Sequence, residues 1–391
     1  MSLSRRDVME LGLAGTSAAL MTTAVGAEPA ARLPDGERIG VAVVGLGKLS
    51  LGQIIPGLRR TAGVKLTAVV SGDPDKGRRV AAQNGLPADA VYSYADFDRI
   101  AHDPRIGIVY VVLPNFLHKE YTVRALRAGK HVLCEKPMAT TTADAEAMIA
   151  AAKAAERHLM IAYRCQYEPK NLEAMRRIRS GRYGKPRLVV TDMLRDSDPS
   201  DPSDAWRLDM AKSGGGALAD MGIYGINGAR YLLGEEPVEV RAWERTDRTD
   251  PRFRTVPDLI AWQFRFPSGA IANGSTSFSV GGTMRWDVFC DKARLRGDPG
   301  AYYSGNRFEI FSNSDAGEVR IVEVDQFARE MDWMGDVVRG RAPMVTPGEE
   351  GLQDMRLIAA ILRSVKDGGR PVATDWRYQR AHDPAVAVGV A

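Results

Sequence analysis

The sequence predicts an α/β protein in which a doubly wound parallel sheet is followed by an α+β domain with an open-faced, largely antiparallel sheet. Strand-like and helix-like segments alternate from Arg38 to Arg164, which is typical of a parallel sheet covered on both faces. A turn with two glycines, "VVGLGKLSLG", follows the first of these strands. Beyond residue 164, strand-like segments follow one another through short turns, which indicates a mixed or antiparallel sheet with one exposed face.

Apolar runs and helix caps define the elements of the first domain. Asp73 before Pro74 predicts an N-cap with a first-turn proline, and Thr141 with Asp144 three residues later resembles a capping box. The predicted strands are "RIGVAVVGLG", "VKLTAVVSG", "IGIVYVVLP", "HVLCEK" and "HLMIAYR". The predicted helices are "SLGQIIPGLRRTAG", "PDKGRRVAAQNG", "FLHKEYTVRALRAG" and the segment from the capping box to Ala155.

The second domain begins with a helix around "NLEAMRRIRSG" and continues mainly as strands. These are predicted at "KPRLVVTDM", "PVEVRAWERT", "LIAWQFRFPSGAIANGSTSFSV", "MRWDVFCDKARLRGD", "RFEIFS" and "EVRIVEV". Two late helical patterns, "QFAREMDWMGDVVRG" and "GLQDMRLIAAILRSVKDG", are expected to pack near the domain junction. We therefore divide the chain into residues 1–27, 28–37, 38–163 and 164–391: an export signal, a short arm, a dinucleotide-binding domain and a substrate-binding domain.

Composition restricts the class of partner. The 391 residues carry a net charge of +4 without a run of like charges, so no nucleic-acid or anionic-membrane surface is indicated. Three widely spaced cysteines and five scattered histidines suggest neither a disulfide framework nor a metal site. The expected partner is a small molecule.

The N-terminus resembles a twin-arginine export signal. Arg5 and Arg6 precede a weakly apolar stretch from Leu11 to Val25, and small residues end at Ala27, where cleavage is expected. The alternative is a frayed amphipathic terminus. No other segment has the roughly 20 continuous apolar residues that span a bilayer, so we expect a soluble periplasmic protein after cleavage.

The glycine turn predicts dinucleotide binding. Gly45 permits a tight turn and Gly47 lets the backbone approach a pyrophosphate at the helix start, while Ser50 replaces the third glycine of the G-x-G-x-x-G pattern. A small residue is sufficient there for close helix packing, although a purely structural glycine turn is the alternative. The expected fold of this domain is the Rossmann fold.

The end of the second strand favours NADP over NAD. An acid there would bond the ribose hydroxyls and repel a 2′-phosphate. The sequence instead offers Ser71, Gly72 and, one turn into the helix, Lys76. Asp73 is compatible with NADP only if its side chain is occupied in capping the helix.

A lysine, an aspartate and a tyrosine are the candidate catalytic residues. Lys136 stands at the end of a predicted parallel strand, and Asp220 and Tyr224 are four residues apart, so on a helix they share a face. Oxidising an alcohol needs a proton acceptor, and a neighbouring ammonium would lower the tyrosine pKa from about 10. Asp220 would position the sugar. A core-packed tyrosine with a satisfied hydroxyl is the structural alternative.

Several blocks together resemble the glucose-fructose oxidoreductase family, within the larger superfamily of sugar and inositol dehydrogenases. They are "GLGKLSL", "VVSGDPDK", "VLPNFLHKE", "GKHVLCEKPMAT", "YRCQYEP", "WRL", "GGGALADMGIYGINGARYLLGEEP" and "PGEEGLQDMRLI", spread over residues 38–376. The resemblance implies Lys136, Asp220 and Tyr224 as the catalytic residues. It also implies tightly bound NADP, oxidation of one aldose at C1 to a lactone, reduction of a second sugar to an alditol, and oligomers formed through the C-terminal sheet.

The same resemblance implies a set of binding residues. The sugar would contact Lys136, Arg164, Asp220 and Tyr224. Including the strand-end glycine argued above, the dinucleotide set is Gly45, Leu46, Gly47, Lys48, Leu49, Ser71, Gly72, Lys76, Tyr94, Leu113, Pro114, Asn115, Leu117, His118, Glu135, Lys136, Arg164, Trp206, Arg207 and Tyr303.

One departure separates this chain from the family. Glucose-fructose oxidoreductase carries a long proline-rich arm after its signal, whereas only "EPAARLPDGE" stands here before the first strand. An open-chain aldose could therefore serve as acceptor in place of fructose. The alternatives are a conventional NAD(P)-dependent sugar dehydrogenase with exchangeable cofactor, an NAD-dependent glycoside hydrolase on the same fold, and a non-catalytic sugar-binding module.

Overall fold

The computed structural model describes residues 31–374 and 378–389. Its first layer is a parallel sheet of six strands in the order β3-β2-β1-β4-β5-β6. The strands are β1 (Ile39–Val44), β2 (Val64–Val70), β3 (Val91–Tyr92), β4 (Ile108–Val111), β5 (His131–Glu135) and β6 (Leu159–Ala162). The parallel arrangement is confirmed, and the two-residue β3 is an addition too short to show a periodicity.

Four helices belong to this layer: α1 (Ile55–Leu58), α2 (Pro74–Gln83), α3 (His118–Arg127) and α4 (Thr142–Ala155). A π-helical turn, Ser50–Ile54, leads into α1, which ends five residues before the glycine where the pattern had placed its end. Both predicted caps are present: the Asp73 side chain accepts a hydrogen bond from the Lys76 amide, and Thr141 accepts one from the Asp144 amide.

The second layer is a mixed sheet in the order β14-β13-β12-β11-β7-β10-β9-β8-β15, in which only β7 and β10 pair in parallel. Its strands are β7 (Pro186–Asp196), β8 (Glu239–Arg245), β9 (Leu259–Arg265), β10 (Ile271–Ser277), β11 (Ser279–Cys290), β12 (Ala293–Gly297), β13 (Glu309–Ser312), β14 (Gly317–Glu318) and β15 (Val372–Ala373). The largely antiparallel character is as predicted.

The remaining helices are α5 (Pro169–Arg179), α6 (Met210–Ser213), α7 (Ile223–Leu233), α8 (Gln326–Val338), α9 (Gly348–Lys366) and α10 (Pro384–Ala387). Helix α8 buries Phe327, Met331 and Met334 in the same core cluster as Val41 and Val43 of β1. Helix α9 packs on α4 and on β8. The two late helices therefore join the layers, and α8 covers the first sheet although it follows the second in the chain.

The predicted strand "EVRIVEV" is wrong beyond its first residue. Only Gly317–Glu318 pairs with β13, and Val322 and Val324 are exposed. The alternation of apolar and charged residues is strand-like, but residues after Glu318 would have to pair with the chain that precedes β13. That chain pairs elsewhere after one bond from the Val319 amide to the Phe308 carbonyl, because the Arg307 amide donates to Pro299. Within the described residues, no helix has the length and apolarity needed to cross a bilayer. The predicted export signal lies outside those residues.

Candidate active site

The glycine turn after β1 opens onto the edge of the first sheet where ligands bind in doubly wound folds. Gly45 has φ +93°, and a Cβ there would come 2.4 Å from the carbonyl oxygen of Val112, so only glycine fits. A Cβ at Gly47 would meet nothing within 4 Å. Ser50, at the third motif position, is buried and its hydroxyl donates to the Gly45 carbonyl, which holds the turn closed.

A cleft of about 1200 Å³, here called the dinucleotide cleft, runs from this turn to the second sheet domain. The open side of Gly47 faces it, so backbone amides of the turn are accessible to a pyrophosphate. Twelve of the predicted cofactor residues line the cleft: Gly47, Lys48, Leu49, Leu113, Pro114, Asn115, Glu135, Lys136, Arg164, Trp206, Arg207 and Tyr303. These residues suit an extended anionic cofactor, because glycine backbone, cations and aromatic rings all line the cleft.

Six of the other eight predicted cofactor residues fall into two groups. Gly45 and the buried Leu46 form the back of the turn. Ser71, Gly72, Lys76 and Tyr94 surround the end of β2, where a Cβ on Gly72 would lie 3.0 Å from the Tyr94 ring. Asp73 Oδ1 is occupied in capping α2, where it accepts from the Lys76 amide at 3.0 Å.

His118 and Asn115 have structural contacts that sequence did not predict. His118 is fully buried, and its two ring nitrogens lie 2.8 Å from the carbonyl oxygens of Leu113 and Pro137. It joins the loop after β4 to the loop after β5 and is not among the residues lining the dinucleotide cleft, so its predicted contact with the cofactor stays a prediction. Leu117, beside it, is not among the residues lining that cleft. Asn115 lines the cleft but donates its amide to the Ser213 carbonyl at 2.8 Å.

Lys136, Asp220 and Tyr224 converge, as predicted. Lys136 follows β5, and its bond to Pro137 is cis. Its ammonium donates to the Asp220 backbone carbonyl at 2.7 Å and to Oδ1 at 3.3 Å, and it lies 4.6 Å from the centroid of the Tyr224 ring. Asp220 lies on a π-helical turn, Leu218–Gly222, that continues into α7. Such turns are frequent at functional sites because they redirect side chains within a helix.

Asp220 is an ionised carboxylate. Burial alone would raise its pKa, but Arg207, Lys136 and Arg195 hold the pKa well below its usual range. Arg207 donates through Nε to Oδ2 at 3.1 Å, on the side away from Lys136. The carboxylate thus has one oxygen toward the ammonium and the other toward the guanidinium groups.

Tyr224 differs from expectation in the sign of its pKa shift. Burial raises the pKa of the phenol above its ordinary value of about 10, and the Arg164 guanidinium, 4.8 Å from the ring centroid, is the cation that opposes this most. Lys136 lies over the ring face, and no hydrogen bond joins it to the hydroxyl among the described residues. The side chain is therefore a neutral phenol at neutral pH, able to donate a proton.

A pH profile follows from this shift. Tyr224 is the predicted proton acceptor, and it can accept a proton only as the phenolate, whose population rises tenfold per pH unit below the pKa. We expect the rate of the oxidising half-reaction to rise about tenfold per unit between pH 6 and 9. The reducing half-reaction, which uses the phenol, should stay flat over that range. Rapid-mixing measurements of both half-reactions test this. An oxidation rate that does not change with pH would contradict it.

Two buried carboxyl groups lie behind the site. Glu135 accepts from the Tyr110 hydroxyl at 2.9 Å, and burial raises its pKa. Glu330, on α8, is fully buried without a hydrogen-bond partner among the described residues; burial and then the nearby Glu135 raise its pKa well above the usual value. The raised pKa favours the protonated form of Glu330, and only Glu135 of this pair lines the dinucleotide cleft.

The glycines Gly214 to Gly216 serve close packing of the backbone. A Cβ at Gly214 would lie 2.8 Å from the Thr140 backbone, and one at Gly216 would lie 2.7 Å from Val256. All three have positive φ, between 57° and 154°. They let the start of the π-helical turn press against the loop that follows Lys136, which brings Asp220 to the lysine.

Comparison with known proteins places the chain in a family. Residues 39–163 match the model of an oxidoreductase family with an NAD-binding Rossmann fold, GFO/IDH/MocA, and residues 171–296 match the C-terminal domain of the same family. The chain belongs to the GFO/IDH/MocA family. The resemblance inferred from the motifs is confirmed, and the protein is an oxidoreductase.

Two of three similar proteins act on sugars according to their names. The crystal structure of an aldose-aldose oxidoreductase from Caulobacter crescentus, complexed with glycerol, is 43% identical with a TM-score of 0.82, and the match covers 86% of this chain and 100% of that one. A D-xylose 1-dehydrogenase [NADP(+)] from Haloarcula marismortui is 31% identical over 325 residues, 82% of this chain and 89% of the relative. A 3-ketoreductase from Actinomadura kijaniata in complex with NADP is 25% identical with a TM-score of 0.73, covering 84% and 98%.

A second cleft of this GFO/IDH/MocA protein, here called the sugar cleft, adjoins the first and measures about 1030 Å³. The two clefts share six residues: Lys136, Arg164, Arg207, Asp220, Tyr224 and Tyr303. Arg164 is buried and donates to the carbonyls of Ala301 at 2.7 Å and Tyr302 at 3.1 Å, so it supports the loop that carries Tyr303. The predicted sugar residues therefore all lie where the clefts meet.

Sequence reasoning missed several residues of the sugar cleft, among them Arg195, Met284 and Tyr302. The strand alternation in "VVTDMLRD" contains a signal for one of them, since Val189, Thr191, Met193 and Arg195 share the face of β7 that packs toward the helices. A charged residue at the end of an otherwise buried row indicates a site. Phe327 of α8, which lines the dinucleotide cleft, had no such signal because it lies outside every motif block.

Proposed function

We propose that the protein is a periplasmic, NADP-carrying sugar oxidoreductase that oxidises an aldose at C1 to the aldonolactone and passes the hydride to a second sugar, which becomes an alditol. The observation that carries this proposal is the convergence of Lys136, Asp220 and Tyr224 at the junction of the two clefts. The names of similar proteins, an aldose-aldose oxidoreductase and an NADP-dependent xylose dehydrogenase, support the sugar and the cofactor.

Each member of the trio has a task in that chemistry. NADP, when bound, supplies the nicotinamide carbon that accepts and returns the hydride. Tyr224 accepts the proton of the C1 hydroxyl during oxidation and donates one to the second sugar during reduction. Lys136 and Arg164 lie against the ring and stabilise the phenolate when it forms. Asp220, kept ionised by its three cations, accepts a hydrogen bond from a sugar hydroxyl.

NADP is favoured over NAD by the end of β2. Asp73 caps α2 by accepting from the Lys76 amide, so its Oδ1 is engaged there and does not compete for the adenosine ribose. Ser71 and Lys76 are the side chains positioned to hold that phosphate. The condition stated from sequence, an occupied Asp73, is met.

A segment of the second domain crosses the mouth of the dinucleotide cleft. Pro202, Ser203 and Asp204 line the cleft, and Asp201 pairs with Lys48 of the glycine turn. This contact closes the cleft over the pyrophosphate position from the side opposite to α1. It supports retention of NADP in a chain without a long arm after the signal.

Replacing Asp201 with asparagine should speed NADP release. Lys48 is exposed, and pairs of this kind contribute about 0.2–1 kcal/mol, so we expect dissociation to be about 1.5- to 5-fold faster. Nucleotide absorbance remaining after repeated gel filtration measures it. Asp247→Asn is the matched control, because Asp247 makes the same turn to Thr249 that Asp201 makes to Ser203 but pairs with no lysine. Equal retention of NADP in both variants would contradict a role of the Lys48–Asp201 pair in holding the cofactor.

The uncovered face of the second sheet supports a homo-oligomer, either a dimer or a tetramer. Trp243, Ile271, Phe289 and Phe311 are exposed on it. Apolar side chains grouped on an open sheet face mark an interaction surface. Light scattering of the purified protein should give at least twice the monomer mass, and a monomer would exclude this part of the proposal.

The decisive experiment uses purified protein without added cofactor. Absorbance at 340 nm is recorded while candidate sugars are added singly. Reduction of bound nucleotide by one sugar and reoxidation by another is the expected result. Absence of bound nucleotide with dependence on added NADP indicates a conventional dehydrogenase. Release of aglycone from a nitrophenyl glycoside without net redox change indicates a hydrolase. Tight sugar binding with no absorbance change indicates a binding module.

Periplasmic location rests on Arg5 and Arg6 and the small residues ending at Ala27. An exported enzyme meets no free NADP, so a two-sugar cycle that regenerates the bound cofactor suits that compartment. Cell fractionation should place the enzyme in the periplasm, and Arg5→Lys with Arg6→Lys should retain it in the cytoplasm. Unchanged export of this double variant would contradict the twin-arginine route.

A further inference from the structure

The sugar cleft has more positive than negative charge. Lys136, Arg164, Arg195 and Arg207 line it, and Asp220 is the only carboxylate that does so among the described residues. Asp204, at its border, pairs with two of the arginines. Four cations therefore face two carboxylates. Partly buried charge without a counterion is unfavourable, so this cleft should attract an anionic group.

Three of the four cations already have short hydrogen bonds. Arg164 donates to backbone carbonyls and to Gln326. Arg207 donates to Asp204 at 2.6 Å and to Asp220 at 3.1 Å. Lys136 donates to the Asp220 carbonyl at 2.7 Å. These groups are committed to holding the site together.

Arg195 is different. Only its Nη2 is engaged, at 3.3 Å from Asp204 and 3.5 Å from Asp220, which is the long end of the hydrogen-bond range. Its Nη1 has no hydrogen-bond partner among the described residues, and about a third of the side chain is exposed. The guanidinium lies 4.6 Å from the Phe278 ring centroid, so its plane is held in place.

Asp220 lies between Arg195 and Lys136, where the reacting C1 of the sugar is expected. Its Oδ1 faces Lys136, while its Oδ2 faces Arg207 and Arg195. Arg195 thus lies across the carboxylate from Lys136. A sugar with C1 at Lys136 and Tyr224 would direct the substituents remote from C1 toward Arg195.

We propose that Arg195 binds a carboxylate of the sugar, so that the cleft selects sugar acids over neutral aldoses. This inference rests on the proposed function for the reaction itself. With a hexuronate, the C1–H bond breaks and its hydride passes to the nicotinamide, the O1 proton passes to Tyr224, and the product is the lactone of the aldaric acid. The carboxylate can come from a uronate substrate or from the aldonate that forms when a product lactone opens.

Paired sugars that differ only at C6 test the proposal. Glucuronate and glucose, and galacturonate and galactose, are mixed with the NADP-bound enzyme and absorbance at 340 nm is followed. The second-order rate constant is expected to be at least tenfold higher for each uronate and to fall with added salt. Arg195→Gln should lower the ratio of uronate to aldose rate constants tenfold or more, and Arg195→Lys should restore part of it.

A matched control lies on the same strand. Arg187 lies on the same face of β7 as Arg195, near the other end of the strand, and among the described residues it pairs only with Asp291. Arg187→Gln should therefore leave the ratio of uronate to aldose rate constants unchanged. Thermal melting and retained nucleotide show whether each variant is folded. If Arg195→Gln is unfolded, the ratio in Arg195→Lys and the salt dependence of the wild type carry the test.

Binding of gluconate separates the two sources of the carboxylate. One outcome is that gluconate inhibits the wild type but not Arg195→Gln, while uronates turn over no faster than aldoses. This outcome assigns the carboxylate to the product and supports the role of Arg195. Equal rate constants for uronate and aldose together with no binding of gluconate overturn it, as does an equal loss for both sugars in Arg195→Gln. If no sugar reduces the bound NADP, the proposed function fails, while calorimetric binding of glucuronate to wild type and Arg195→Gln still decides the inference.

Discussion

Replacing Tyr224 with phenylalanine is expected to lower the rate at which sugars reduce the bound nucleotide by about 10²- to 10⁴-fold, the usual contribution of a positioned acid or base. The substitution removes the hydroxyl that exchanges a proton with substrate and keeps the ring under Lys136 and Arg164. Nucleotide content should therefore stay at the level of the wild type. Single-turnover absorbance at 340 nm measures the rate, and the spectrum of the purified variant measures the content.

The matched control for this substitution is Tyr231→Phe. Tyr231 lies on the same helix, α7, is fully buried, and its hydroxyl has no hydrogen-bond partner among the described residues. Removing this hydroxyl should leave the rate of nucleotide reduction nearly unchanged. Near-normal activity in Tyr224→Phe, or an equal loss in both variants, would refute the role of Tyr224 as proton donor and acceptor.

Replacing Arg230 with methionine is expected to destabilise the protein by about 3–5 kcal/mol, the range for breaking a buried ion pair by removing one partner. Arg230 is fully buried on α7, and it donates to Glu236 and Glu350 and pairs with Asp354. Two of these acids, Glu350 and Asp354, are also fully buried and would be left without this counterion. Denaturant midpoints at constant slope measure the change.

The destabilisation should be smaller at low pH. Burial already raises the pKa of Asp354 to about 6, and removing Arg230 raises it further. The folded variant then binds more protons than the unfolded chain, so its stability falls as pH rises through the window above the unfolded pKa of about 4. Measuring the free energy of unfolding at pH 5 and pH 8 tests the sign of this pH dependence.

Arg176→Met, which removes a surface pair with Glu173, is the control and should cost less than about 1 kcal/mol. Equal midpoints for both variants would contradict the buried network.

Local chemistry accounts for what sequence predicted well. The apolar run into Gly45 and Gly47, the cap at Asp73 and the capping box at Thr141 each act within a few residues, so their structures follow from the neighbouring residues alone. The family motifs added Lys136, Asp220 and Tyr224, which lie within contact distance although 84 residues separate the first two.

Other features depend on partners that sequence does not indicate. "EVRIVEV" has a strand pattern but no strand to pair with beyond Glu318. His118 begins α3, and its ring is buried between two carbonyl groups. Glu330 approaches Glu135 only because α8 returns to the first sheet. The direction of the Tyr224 pKa shift likewise depends on burial, which is a property of the folded protein.

The sequence by itself determined the two-sheet fold and the glycine turn and singled out Lys136, Asp220 and Tyr224 as candidate residues, because periodicity, caps and short motifs are encoded in neighbouring side chains. Only the tertiary structure decided the charge of the sugar cleft and the state of its groups. Arg195 reaches Asp220 because β7 ends beside α7, and Arg164 reaches Tyr224 because β6 and α7 meet at the cleft. Electrostatic interactions depend on distance and burial, and both are set by packing between segments far apart in the chain.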